Sequence, residues 1–229
     1  MLPALHIPDG FIDVPTSALF GLLTVVLLAL ALKRAKGQLD DRVAPMAGLA
    51  AVFIFAMQML NFPVAAGTSG HLVGAAIGAV LIGPWAAALA LTVVLAVQAL
   101  FFADGGLIAF GLNVFNLAFV AVFVAWGVFL ILKKVLPANK TGLLIATGIG
   151  AFVSVPASAL AFSLQFALGG TEAISASTVT AAMVSVHLLI GIGEAIISVL
   201  TVSAVIAARP DLAFGAKHYL KPTLSGSER

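Results

Sequence analysis

Few side chains in this sequence can do chemistry, and they gather at two places. The chain of 229 residues has four histidines and no cysteine. Disulfides, thiolate metal sites and cysteine nucleophiles are therefore excluded. The first polar segment is Leu5-His6-Ile7-Pro8-Asp9-Gly10-Phe11. It is more apolar than a solvated tail needs to be, and Pro8 with Gly10 predicts a fixed turn that folds back among other elements. The second segment runs from Asn61 through Pro63, Gly67, Thr68, Ser69 and Gly70 to His71. Gly67 and Gly70 let the backbone approach a ligand closely. A histidine alone at a helix start reads as a cap. Here His6 and His71 fall on the same side of the chain's expected topology. Neutral imidazole is the commonest nitrogen ligand for Ni, Co, Zn and Cu, so this pair points to a borderline divalent cation. Two imidazoles do not fill a coordination sphere, and carboxylate, backbone nitrogen or water must supply the rest.

A third feature is Glu194 with His187 seven residues earlier, on one helix face. Intramembrane ionisable groups mark ion or proton paths, so this pair is a candidate ion path; the plainer reading is a helix-packing contact. Gln58, Gln98, Asn113, Asn116 and Gln165 read as interhelical hydrogen bonds. Gly74-x-x-x-Gly78 fits a close helix contact, although such matches arise easily in a chain this rich in Ala and Gly. Ser69 and His71 invite a hydrolase reading, but residues two apart do not face each other on a helix, and no third member is evident. No G-x-x-x-x-G-K-[ST] pattern occurs, so ATP hydrolysis must come from elsewhere.

The elements that position these residues must lie in a bilayer. Hydrophobic residues make up 62% of the chain and charged ones 9%, with a mean hydropathy of +1.20. Too few charges remain to cover a soluble surface. A water-soluble enzyme, a nucleic-acid binder and a disordered chain are all excluded. About 142 apolar residues suffice for about seven spans of ~20 residues. The expected fold class is all-α, a polytopic membrane protein. Its spans are read as Ser17–Leu32, Val43–Leu60, His71–Ile82, Trp85–Ala103, Leu107–Leu132, Thr141–Ala167 and Thr178–Ala208.

Charge sets the orientation. The eleven Lys and Arg form three clusters, around Lys33–Arg42, Lys133–Lys140 and Arg209–Arg229. By the positive-inside rule all three are cytoplasmic. This predicts the N-terminus outside, the C-terminus inside, and a cytoplasmic turn at Gly83-Pro84-Trp85. The N-terminus is not a secretory signal, because its positive charges follow the apolar run. The outer loops then carry only acids: Asp9, Asp13, Asp104 and Glu172. Residues 1–208 read as one transmembrane metal-capture domain, with 1–16 folding back into it, and 209–229 as a polar cytoplasmic tail.

Four segments carry a resemblance: HIPDGF (His6–Phe11), NFPVAAGTSGHLVGAAIGAVLIGPWAA (Asn61–Ala87), QALFFADGGLIAFGLNVFN (Gln98–Asn116) and IGIGEAIIS (Ile190–Ser198). They resemble the CbiM/NikM family, the substrate-capture membrane components of energy-coupling-factor transporters for cobalt and nickel. HIPDG and NFP…GTSGH are closer to the nickel-type members. The resemblance implies seven helices and an N-terminal segment inserted from outside. It implies a metal held by the terminal amine, the amide nitrogen of the following His, that imidazole, and the GTSGH imidazole. The two imidazoles map to His6 and His71. An all-nitrogen, square-planar set suits Ni(II) and Cu(II) over Zn or Mg.

The sequence departs from that pattern because Met1-Leu2-Pro3-Ala4-Leu5 precedes His6. The expectation is that translation starts at Leu5, a UUG or CUG codon read as Met, which restores the amine and amide ligands. Trimming, or a water, Asp9 or Asp13 as fourth ligand, are the alternatives. Asp9 and Ser69 are the oxygens expected to hold the ligand rings, since a metal-bound His hands its other N–H to one. The cargo is Ni(II) or Co(II), with no resident cofactor. The implied partners are a coupling transmembrane subunit, one or two cytoplasmic ATPases and a small extra membrane subunit. The rival reading is a self-sufficient proton-coupled transporter or channel using Glu194 and His187.

Overall fold

The computed structural model describes residues 6–36, 43–63 and 69–219. It is mostly helical. In chain order the elements are α1 (Val14–Ala35), α2 (Val43–Gln58), β1 (Asn61–Pro63), β2 (Ser69–His71), α3 (Ala75–Ile82) and α4 (Pro84–Phe101). Then come α5 (Phe110–Val114), a π-helical segment (Phe115–Ala121), α6 (Val122–Leu132), α7 (Lys140–Gly169), α8 (Ala176–Ala208) and α9 (Phe214–Tyr219). Five helices are long and apolar enough to cross a membrane: α1, α4, the continuous Phe110–Leu132, α7 and α8. The chain is a multi-pass membrane protein. Large apolar side chains such as Leu22, Val25, Leu189 and Leu200 face outward, where hydrocarbon receives them.

Local sequence explains the helix starts. Asp13 caps α1, its carboxylate accepting from the Thr16 N–H at 2.9 Å, with Pro15 just inside the helix. Hydrogen bonds from the Thr16 hydroxyl and then its backbone N–H hold the Asp13 carboxyl below the ordinary carboxylate range. Asn139 caps α7 and Ser175 caps α8 in the same way. The helices meet through small residues, as lipid-embedded helices must. A Cβ on Gly111 would come within 2.5 Å of the Gly21 Cα, and Thr24 Oγ1 donates to Gly111 O at 2.8 Å. The π-helical segment turns Asn116 toward α7, where it and Gln165 exchange two hydrogen bonds of 2.8 and 2.9 Å.

One expectation changes here. The segment His71–Ile82 is not one helix. His71 ends a two-stranded antiparallel hairpin, paired with Asn61, and the helix begins only at Ala75. The cause is Gly74, whose φ of +76° places the backbone in the left-handed region. The eight-residue α3 is about 12 Å long, well short of a bilayer. All eight of its residues are buried, so it is a central strut inside the bundle. Glycines seat it closely: a Cβ on Gly74 would come 2.7 Å from Ile54, and one on Gly78 3.0 Å from Ala87. At Gly83-Pro84 the chain breaks, as its sequence requires, and α4 starts with Pro84 in its first turn. Within the polar tail, residues 214–219 form α9, and Ala213, Ala216 and Tyr219 are buried against the bundle.

Candidate metal site

The segment from His6 to Asp13 packs on the bundle, held at Ile7, Asp9, Gly10 and Asp13. The Ile7 N–H donates to Asn113 Oδ1 at 3.0 Å, while Asn113 Nδ2 and the Gly106 N–H both donate to Ile7 O, at 3.1 and 2.9 Å. The Asp9 carboxylate accepts from three successive backbone N–H groups, Leu107, Ile108 and Ala109, at 3.1, 2.8 and 3.1 Å. Further on, Thr171 Oγ1 donates to Gly10 O at 2.6 Å, and the Asp13 N–H donates to Gly169 O at 2.7 Å. Phe11 packs on Phe162 and Phe166. The segment therefore has one register, and that register buries His6.

Gly105 and Gly106 make room for it. A Cβ on Gly105 would come 2.9 Å from the His6 Cβ, and Gly105 itself has a φ of +92°. A Cβ on Gly106 would overlap the Asp9 carboxylate and backbone nitrogen.

The hairpin brings in the second imidazole. The His6 and His71 ring centroids lie 4.7 Å apart, edge to face at 63°. Both residues are 6% exposed. His71 Nδ1 lies 2.7 Å from Leu72 O. A carbonyl can only accept, so Nδ1 carries the proton and Nε2 presents its lone pair. His6 Nδ1 lies 3.3 Å from Asp104 Oδ2. The other ring nitrogen, His6 Nε2, is buried with no hydrogen-bond partner. Such an atom costs about 1–3 kcal/mol when left unsatisfied. A cation is the kind of occupant that relieves it. Among the described residues no group of three or more His, Cys, Asp or Glu side chains stands ready around one point. The side chains alone thus offer an imidazole pair, and further ligands must come from backbone or water.

The other anticipated residues are placed as follows. Asp9 binds the 107–109 backbone and fixes the segment; the carboxylate beside His6 is Asp104. The Ser69 side chain, the loop 64–68 and residues 1–5, including the expected start at Leu5 and its amine, lie outside the described residues. His187 Nδ1 lies 2.7 Å from its own helix's Met183 O, and its Nε2 edge faces Gly70, where a Cβ would come within 3.2 Å. Glu194 is fully buried and accepts the Val73 N–H at 2.8 Å and the Gly74 N–H at 2.7 Å. His187 and Glu194 are thus bonded elsewhere than to each other. Asn113 and Asp104 are the residues that sequence reading assigned no part in the site. The signal for Asp104 was present: an acid before two glycines, in a loop expected on the same side as His6.

Known proteins resemble this chain in sequence and fold. The chain matches, over residues 6–212, the family CbiM, described as the cobalt uptake substrate-specific transmembrane region. It is 39% identical over 210 residues to a Haloquadratum walsbyi protein named for metal transport, covering 92% of this chain and 94% of that one. It is 36% identical over 208 residues to an Archaeoglobus fulgidus protein named for fused nickel transport, covering 91% and 68%. Its fold superposes on the crystal structure of a truncated transition metal transporter with a TM-score of 0.81 and 34% identity, covering 88% and 98%.

Proposed function

Since the chain belongs to the CbiM family of cobalt uptake transmembrane components, we propose that it captures Ni(II) or Co(II) from outside on His6 and His71 and delivers the ion inward within an ATP-driven energy-coupling-factor importer. The observation that carries this reading is the buried imidazole pair, 4.7 Å apart, assembled from segments 65 positions apart in sequence. A buried pair of nitrogen donors favours Ni(II), Co(II), Cu(II) and Zn(II) over Mg(II) and Ca(II). The basic clusters put the N-terminus outside and the C-terminus in the cytoplasm. Residues 1–208 are then one capture unit and 209–229 its cytoplasmic end. The chain has no ATP-binding motif, so the energy comes through a coupling membrane subunit and cytoplasmic ATPases, with a small extra membrane subunit. The protein is a transporter component rather than an enzyme.

The proton-coupled alternative finds less support. A relay through Glu194 and His187 needs oxygens and nitrogens free to pass a proton. Both Glu194 oxygens accept backbone N–H groups instead. The deciding experiment is Ni(II) uptake into liposomes, with and without the partner subunits. Uptake is expected only with partners and ATP. Uptake by this chain alone under a proton gradient would establish the alternative.

Binding to the purified chain should also follow pH in one direction. Only the unprotonated ring nitrogen has a lone pair to give, so protons compete with the metal. Ni(II) affinity is expected to fall as acid protonates the rings. Titration calorimetry over a series of decreasing pH checks the direction; affinity that rises on acidification would remove imidazole from the ligand set.

A further inference from the structure

The backbone around His71 is held from two sides, and the connection runs through single planar peptide groups. The Leu72–Val73 peptide offers its carbonyl to His71 Nδ1 at 2.7 Å and its N–H to Glu194 Oε2 at 2.8 Å. The next peptide, Val73–Gly74, offers its carbonyl to Gln58 Nε2 at 2.9 Å and its N–H to Glu194 Oε1 at 2.7 Å. A peptide group is rigid, so fixing its N–H fixes the direction of its carbonyl. Gly74, in a left-handed conformation, offers no side-chain cap of its own. The Val73 and Gly74 N–H groups, just before the helix, are held from α8, by a carboxylate 121 and 120 positions away.

We infer that Glu194 is the positioning residue for the His71 ligand, acting through the Leu72–Val73 peptide plane to fix the ring's tautomer and direction. The inference rests on the reading of His71 as a metal ligand. A carboxylate accepting at one end of the amide polarises the carbonyl at the other, and hydrogen bonds in series strengthen one another. The carbonyl then holds Nδ1–H and leaves the Nε2 lone pair for the ion. This is the oriented ring with a hydrogen-bonded outer nitrogen that metal-binding histidines use, here with a peptide group between ring and carboxylate. The same contact joins the metal pocket to α8, a helix of 33 residues.

The test begins with the unaltered protein. Nitrogen NMR of 15N-histidine-labelled, metal-free chain is expected to show His71 protonated at Nδ1; a ring protonated at Nε2 overturns the inference. Glu194→Gln keeps size but turns an amide N–H₂ toward one of the two backbone N–H donors. That variant is expected to mix the His71 tautomers, shift the visible absorption of bound Ni(II) and weaken binding by about 10–100-fold. Asn116→Ala, which removes the buried pair with Gln165, is the control for general destabilisation. It is expected to lower the melting temperature and leave tautomer, spectrum and affinity unchanged. Parent-like tautomer and affinity in Glu194→Gln would overturn the inference. Parent-like affinity in His71→Ala would instead overturn the ligand assignment, with the tautomer result still standing.

Discussion

His71→Ala is expected to remove tight Ni(II) and Co(II) binding from the purified chain, by about 100-fold or more, equivalent to at least ~2.7 kcal/mol. The size follows from the scarcity of donors. Only two imidazoles meet in this pocket, and no third His, Cys, Asp or Glu completes a cluster with them among the described residues. Losing one leaves a single anchored side chain against a cation's large hydration energy. The bundle should survive the change. His71 ends a three-residue strand, and the α3 start beyond it is held by Glu194 and Gln58 rather than by the ring. Equilibrium binding in detergent, paired with a melting curve, separates ligand loss from unfolding. Parent-like affinity with a parent-like melting curve would sink the assignment.

Gly106→Ala should be nearly as severe, although the residue offers no donor to the metal. Its added Cβ would fall on the Asp9 carboxylate and on the Asp9 backbone nitrogen. Backbone cannot rotate aside as a side-chain tip can, so the whole segment from His6 to Gly10 must lift. Lifting breaks the Gly106–Ile7 bond, the two Asn113–Ile7 bonds and the three N–H contacts of Asp9 together. His6 then loses its place beside His71. Nickel affinity is expected to fall by about 100-fold, with helical circular dichroism unchanged, because no long helix depends on these contacts. Gly127→Ala supplies the comparison, since a Cβ there meets nothing within 4 Å. If the Gly106 variant bound nickel within threefold of the parent, the clamp would be irrelevant to the site.

The sequence made some parts of this legible and not others, for physical reasons. The two histidines stood out because each sits in a polar, glycine-bearing segment between apolar runs. The break at Gly83-Pro84 was readable because proline chemistry is local. The start of α3 was misplaced at His71 because nothing local marks Gly74 as left-handed. Its conformation is secured by Ile54 packing from α2 and by Glu194 from α8. Asn113 looked like a helix-to-helix bridge because its true partner, the Ile7 backbone, is 106 positions away. Asp9 was expected at the metal's edge for the same reason: its role is fixed by the 107–109 backbone, which pattern reading does not bring near it.

The clamp on the N-terminal segment also sets a clock. Gly10 is held by Thr171, which follows it by 161 positions. Ribosomes add about 5–20 residues per second, so the first histidine waits roughly 10–30 s for its last backbone partner to be made. Glu194 arrives later still. A chain stalled before α8 has both histidines but lacks the carboxylate that holds the Val73 and Gly74 backbone beside His71. The full set of contacts around the two rings is therefore complete only once α8 has been made.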